Sequence, residues 1–281
     1  MTAYGFDAID LVALIFFFVA WCTHSWVVNR SRWRVNTISY RMVAFRRQWM
    51  ENMVARDLRM VDALIQNSLQ QGVLFFASTS ILLIGGLLAG VGAADAAMQV
   101  LSDIPLSSTN TRTEWEVKVM LVVFIFMFAF FKFAWSYRLF NYVIIMIGAA
   151  PEGQSRTHSR PLPNAEVESQ GGVHGDIQTD VQTDIQADRR GDRRGELPSD
   201  QEAESSMQNR YADKVAQLHA IGARHFTSGL SAYFFALSAL AWFLNAWAFI
   251  IATLWVSLVL YRRAFRSNFM KILSTSVLRS T

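Results

Sequence analysis

Residues 117–149 read VKVMLVVFIFMFAFFKFAWSYRLFNYVIIMIGA, interrupted by three cations, Lys118, Lys132 and Arg138, and by no carboxylate. As one helix this run is roughly 50 Å long at 1.5 Å per residue, against about 30 Å of bilayer hydrocarbon. It therefore crosses a bilayer over 117–138, and its last turns project beyond it, where they need cover from other protein. Two further blocks have near-bilayer length, 8–28 and 72–94. A fourth apolar stretch, residues 226–261, has 36 residues. At roughly 54 Å it is too long for one span. Asn245, in LAWFLNAWAF between Trp242 and Trp247, divides it into spans 226–244 and 246–262, because Asn tolerates turns and Trp favours membrane interfaces. A re-entrant hairpin is the alternative for that last pair.

The composition agrees. The 281 residues are 52% hydrophobic and 17% charged, with a mean hydropathy of +0.23, which excludes an ordinary soluble domain. Basic groups outnumber acidic ones 26 to 22. A nucleic-acid binder could carry that charge, but gathering of the apolar residues into blocks indicates a basic membrane face, so nucleic acid is not an expected partner. The single Cys22 excludes an internal disulfide and a Cys-based zinc site. No basic segment precedes the first block and no small-residue cleavage site follows it, so that block is expected to remain as a span. The expected fold class is all-α, a polytopic membrane helix bundle of about five spans with a small helical cytoplasmic layer.

Arginines set the expected orientation. Residues 29–71 carry Arg30, Arg32, Arg34, Arg41, Arg46, Arg47, Arg56 and Arg59 against Glu51, Asp57 and Asp62. The segment after the second block has Asp95, Asp103, Glu114 and Glu116 against Arg112, and the C-terminal YRRAFRSNFMK is basic again. By the positive-inside rule the N-terminus lies outside and the C-terminus in the cytoplasm, and the setting expected is a bacterial inner membrane.

Three cytoplasmic segments are expected to form one helical layer. Residues 38–66 place Ile38, Met42, Phe45, Trp49 and Met53 at helical spacing. Residues 207–225 do the same with Tyr211, Val215, Leu218 and Ile221, and 139–149 form the projecting end of the third span. Arg30, Arg32, Arg34, Arg41, Arg46 and Arg47 are candidates for anionic lipid headgroups. Between these segments, residues 151–206 turn to Gln, Asp, Arg, Gly and Ser, the composition of a disordered linker. Its Asp176, Asp180, Asp184 and Asp188 recur every four residues and are read as a solvated repeat rather than a calcium site. The third segment, 207–281, ends in a basic tail.

Polar groups inside the membrane are expensive and therefore informative. Lys132, Arg138 and Asn141, with Asp62 or Asn67 at the foot of the second span, are candidates for a polar site at the inner mouth. The competing reading has Lys132 reaching the headgroups beside Arg138. Ser78, Thr79, Ser80, Gly86 and Gly90 are candidates for helix packing or for lining a pathway. Asp7 and Asp10 suit a helix N-terminus. His219 and His225 are six apart and share no helix face, and no nucleotide loop or nucleophile–base pair is recognisable. Neither metal, cofactor nor enzymatic activity is expected.

The stretches RDLRMVDALIQNSLQQGVLFFASTSILLIGGLLA, EWEVKVMLVVFIFMFAFFKFAWSYRLFNY, ARHFTSGLSAYFFALSALAWFLNAWAF and YRRAFRS together resemble a bacterial inner-membrane family known only as a domain of unknown function, with plant members. The resemblance covers nearly everything outside 151–206 and departs at Asn245, where it implies a Pro-containing turn. It implies a multispanning protein and carries no activity or ligand. Two functions are expected from the residues themselves. One is a homo-oligomeric channel-like or transport protein with spans two and three at its pathway. The other is a non-transporting scaffold that binds anionic lipid, or a protein partner, through Arg-rich cytoplasmic helices.

Overall fold

The computed structural model describes residues 7–29, 38–102, 111–151 and 200–265. Among them the regular structure is entirely helical. In order these are α1 (Ala8–Asn29), α2 (Ile38–Val54), α3 (Met60–Gly92), α4 (Ala94–Ser102), α5 (Arg112–Gly148), α6 (Asp200–Leu240), a 3-10 turn (Ala241–Phe243) and α7 (Ala246–Phe265). Five of them, α1, α3, α5, α6 with the 3-10 turn, and α7, are long and apolar enough to cross a membrane. The chain is an all-α polytopic bundle.

Helix length organises the molecule. At 33, 37 and 41 residues, α3, α5 and α6 run roughly 50–62 Å and overreach a hydrocarbon core of about 30 Å. Their overhang gathers at the end that carries α2, here called the basic end. There Met50, Met53 and Val54 of α2 pack with Val143 and Ile147 of α5 and Ala212, Val215 and Ala216 of α6 in a second core, separate from that of the spans. Tyr211 donates to the Met146 carbonyl at 2.7 Å, and Arg47 bridges Glu51 and Asp213 at 2.9 Å each. Arg59 closes the C-terminus of α5, donating to the carbonyls of Ala150 and Pro151 at 2.6 Å each. A guanidinium there answers both the free carbonyls and the negative end of the helix dipole. The expected overshoot of the third span and its helical cover are thus present.

Several expected boundaries move. The amphipathic segment 38–66 is two helices, since α2 stops at Val54 and α3 begins at Met60. The intervening turn folds α2 back against α6 while α3 continues along α5, so that Trp49 and Asp62 meet. Span 72–94 is the upper part of α3, 117–138 the middle of α5, and 226–244 the end of α6 and its 3-10 turn. The helix of α6 starts at Asp200, inside the segment expected to be linker, while residues 152–199, the Asp repeat among them, lie outside the described residues, as does the basic tail beyond Phe265. Helix α4 was not foreseen; its Asp95 lies 3.7 Å from Arg112. At the opposite end Thr111 caps α5, its hydroxyl accepting from the Glu114 amide at 3.2 Å. Asn245 caps α7 by accepting from the Ala248 amide at 2.6 Å, which makes the division at that residue a helix start.

The core of the spans is aromatic. Phe17 of α1 meets Phe235 of α6 and Phe249 of α7 at 5.8 and 5.2 Å, and Trp21 meets Phe128 of α5 at 5.3 Å. Phe126 and Phe133 of α5 flank Tyr233 at 5.1 and 5.6 Å. Between α5 and α6 the backbones come close because α6 presents Gly222, Gly229, Ala232, Ala236 and Ala239. A β-carbon at Gly222 would stand 2.7 Å from the Phe140 ring, and one at Gly229 2.7 Å from that of Phe133. Ser136 fastens the seam by donating to the Gly222 carbonyl at 2.8 Å. Gly86 and Gly90 differ, since a β-carbon on either meets nothing within 4 Å. They do not pack within the protomer.

Gly229→Ala is expected to destabilise the protein by about 1–3 kcal/mol, the cost of overpacking, although Ala is the better helix former. Gly86→Ala and Gly90→Ala should be neutral or slightly stabilising. Thermal unfolding of the three variants in detergent checks this, and equal midpoints would refute the seam.

Candidate functional site

One face of α3 is buried through Asp62, Gln66, Gln70, Val73, Ala77 and Ser80. The spacing of four, four, three, four and three is that of one helical stripe, and its lower half is polar. Asp62 is fully buried and accepts from Trp49 Nε1 at 2.7 Å and from Arg56 at 3.3 Å, both on Oδ1. Its Oδ2 and both amide atoms of Gln66 are buried and make no hydrogen bond within the protein. Trp49 also lies edge-on to His219 of α6 at 5.5 Å, and Phe140 covers the other side of that imidazole at 5.1 Å. Both ring nitrogens of His219 are likewise buried and unbonded. Buried polar atoms of this kind are normally satisfied by water or a bound group. Arg46 stands nearby, half-buried, and burial lowers its guanidinium pKa from the usual value. Among the described residues no three His, Cys, Asp or Glu side chains converge as a metal would require.

The residues expected at an inner mouth are not brought together. Lys132 is half-buried with its ammonium 5.1 Å over the Phe128 ring. Arg138 is exposed, lying 5.9 Å from the Trp135 ring and 5.8 Å from that of Tyr142, whose hydroxyl it meets at 2.7 Å. Asn141 and Asn67 are exposed. No hydrogen bond or ion pair joins any of these four to Asp62. In the second span Ser80 is buried, donates to the Phe76 carbonyl at 2.8 Å and lies 2.9 Å from the Tyr233 hydroxyl. Thr79 donates to the Phe75 carbonyl at 2.8 Å, and Ser78 is exposed. Of the headgroup candidates, Arg41 and Arg46 are half-buried, Arg47 is exposed and paired, and Arg30, Arg32 and Arg34 lie outside the described residues.

Cations on three of the helices, α5, α6 and α7, form a rim at the basic end. Lys132 and Arg138 on α5 stand level with Arg224 on α6, because Trp135 touches His225 at 6.5 Å. Arg262 and Arg263 complete the rim on α7, whose Arg263 shares a cavity with Phe226 and Thr227 of α6. None of the five forms an ion pair among the described residues, whereas Arg47, Arg56 and Arg112 all do.

The opposite end holds a cluster that sequence reasoning missed. Lys118 and Glu114 are buried there, and the Lys118 ammonium sits 5.6 Å from the Trp242 ring. Trp242 Nε1 donates to Asp10 at 2.8 Å, tying α1 to the turn before α7. Asp10 also accepts from the Asp7 amide at 3.2 Å, the helix-start role expected of this pair. The T-x-x-E pattern of residues 111–114, ending four residues before Lys118, is the sequence signal for a structured end.

A family model described as "Protein of unknown function, DUF599" matches residues 12–174 and 194–269. The chain belongs to that family. No significant match was found among curated proteins or solved structures.

Asp62→Ala leaves the buried Trp49 N–H without its acceptor and is expected to cost about 1–3 kcal/mol. Asp62→Asn keeps an acceptor oxygen and should cost less. Arg56 adds little to either figure, because its side chain is 50% exposed and the pair is screened. Thermal unfolding followed by tryptophan fluorescence checks the order of the two variants; equal losses would show that the hydrogen bond is not what holds the site.

Proposed function

We propose that the protein is a non-transporting, non-enzymatic scaffold of the bacterial inner membrane whose rim holds anionic lipid headgroups, with the N-terminus outside and the basic end in the cytoplasm. The observation that carries this reading is that Lys132, Arg138, Arg224, Arg262 and Arg263 lie on α5, α6 and α7 at one end of the bundle and none has a carboxylate partner among the described residues. A cation near an anionic bilayer surface contributes about 1 kcal/mol. Five at one end favour a leaflet rich in acidic lipid. Aromatic neighbours strengthen the case, since Lys132 and Arg138 lie over rings that hold long side chains at headgroup depth. The cytoplasmic assignment follows from the arginine excess of that end.

A pathway through the protomer finds little support, because Ser80 is engaged with Tyr233 and the space between the spans is filled by rings. The second reading, a homo-oligomeric channel, is favoured by one feature: Gly86 and Gly90 leave a small-residue face of α3 open to another copy.

The test is reconstitution in liposomes and in nanodiscs of mixed phosphatidylglycerol and phosphatidylcholine. The expected result is no chloride, potassium or proton flux above empty liposomes, together with phosphatidylglycerol enrichment around the protein. Replacing Lys132, Arg138 and Arg224 by Gln should reduce that enrichment several-fold. Flux above background, or enrichment indifferent to the triple substitution, would overturn the reading.

A further inference from the structure

Between α1, α6 and α7, toward the basic end, lies a cavity of about 310 Å³. Its walls are apolar, with Phe226, Leu230 and Phe234 of α6 facing Leu260 of α7 and Val28 of α1. Its polar groups are few. Thr227 and Ser231 have spent their hydroxyl protons within α6, on the carbonyls of Ala223 and Thr227 at 2.9 and 3.0 Å, so toward the cavity they can only accept. The donors left are the imidazole of His24 and the guanidinium of Arg263, which line the cavity and have no hydrogen-bond or ion-pair partner among the described residues.

We propose that this cavity seats one anionic glycerophospholipid, with an acyl chain along the apolar wall and its phosphodiester on Arg263 and His24. The proposal rests on the reading of the rim as a lipid-binding surface and names a single defined site within it. Three observations choose the occupant. First, a cavity among helices that face the bilayer is open to acyl chains, and an apolar wall beside few polar groups is the make-up of a ligand site. Second, a planar guanidinium suits two phosphate oxygens at once. Third, no carboxylate lines the cavity, so the ammonium of a zwitterionic headgroup would find no counter-charge. Phosphatidylglycerol, with an uncharged glycerol beyond its phosphate, needs none. The neighbouring cavity of about 360 Å³, between α1 and α7, shares His24 but contains neither Lys nor Arg. It offers apolar surface without the phosphate ligand and serves as the contrast within the same protein.

The full-length protein, purified in a mild detergent and titrated with phosphatidylglycerol or phosphatidylcholine, is examined by native mass spectrometry. One phosphatidylglycerol should stay bound at collision energies that strip the rest, and phosphatidylcholine should not. Arg263→Gln is expected to weaken that one binding step about tenfold, and Leu230→Trp, which fills the cavity, to abolish it. Arg138→Gln, outside the cavity, should leave it intact while lowering bulk enrichment. Arg263 is exposed, so its variant tests the site even if Leu230→Trp fails to fold. Retention unchanged in Arg263→Gln, or equal for the two lipids, overturns the proposal. Failure of the wider rim reading looks different, as lost bulk enrichment with the single tight lipid still in place.

Discussion

The contact on which the rest of the bundle depends is the close approach of α5 and α6. In a bilayer, lipid tails are as apolar as leucine, so helices associate through packing and hydrogen bonds rather than through exclusion of water. Gly222 and Gly229 let the rings of Phe140 and Phe133 reach the α6 backbone, and Ser136 adds a hydrogen bond across the seam. From this pair α3 is held along α5, with Tyr233 of α6 reaching the Phe76 carbonyl at 3.0 Å. On the other flank Phe235 of α6 carries the rings of α1. The same two helices, extended beyond bilayer thickness, provide most of the second core, so one contact underlies both layers.

Charge is partitioned by what it faces. Inside the protein the charged groups have partners: Asp62 has Trp49 and Arg56, Asp10 has Trp242, and Arg59 has the last carbonyls of α5. On the proposed lipid-facing rim, Lys132, Arg138, Arg224, Arg262 and Arg263 have no acid among the described residues. A cation kept without an acid where lipid phosphates lie is a surface suited to those phosphates, and this contrast gives the lipid reading its physical content. The unbonded polar atoms beneath Trp49 belong to neither group. They sit beside the second core, among helices longer than a bilayer is thick, and are the kind of buried polar atoms that water satisfies.

Much of this was legible in the chain itself. Span lengths, the overshoot of α5, its cover by α2 and the start of α6, and the division at Asn245 all follow from local rules of length, periodicity and capping. The choice among residues of one type did not. Of the glycines, Gly86 and Gly90 stood in a recognised motif, yet Gly222 and Gly229, seven apart and in no motif, are the ones that touch another helix. Of the lysines, Lys132 is the one the sequence singles out and it lies half-buried over the Phe128 ring, whereas Lys118, which the sequence does not single out, is buried. The continuous helix expected over 38–66 breaks because Asp62 and Trp49 bond across the turn, a long-range gain that no local propensity expresses.

The sequence alone determined that this chain is a polytopic helical protein with overhanging helices and one basic end, because hydrophobic length, helical period and charge asymmetry are written along one dimension. Only the tertiary structure decided which faces meet and which face lipid. The physical reason is that a membrane span is apolar all round. Against water, burial sorts a helix into polar and apolar faces, but lipid imposes no such sorting. The buried stripe of α3, the glycine seam of α6 and the cavity beside Arg263 are therefore set by shape and by hydrogen bonds that exist only once the helices are side by side.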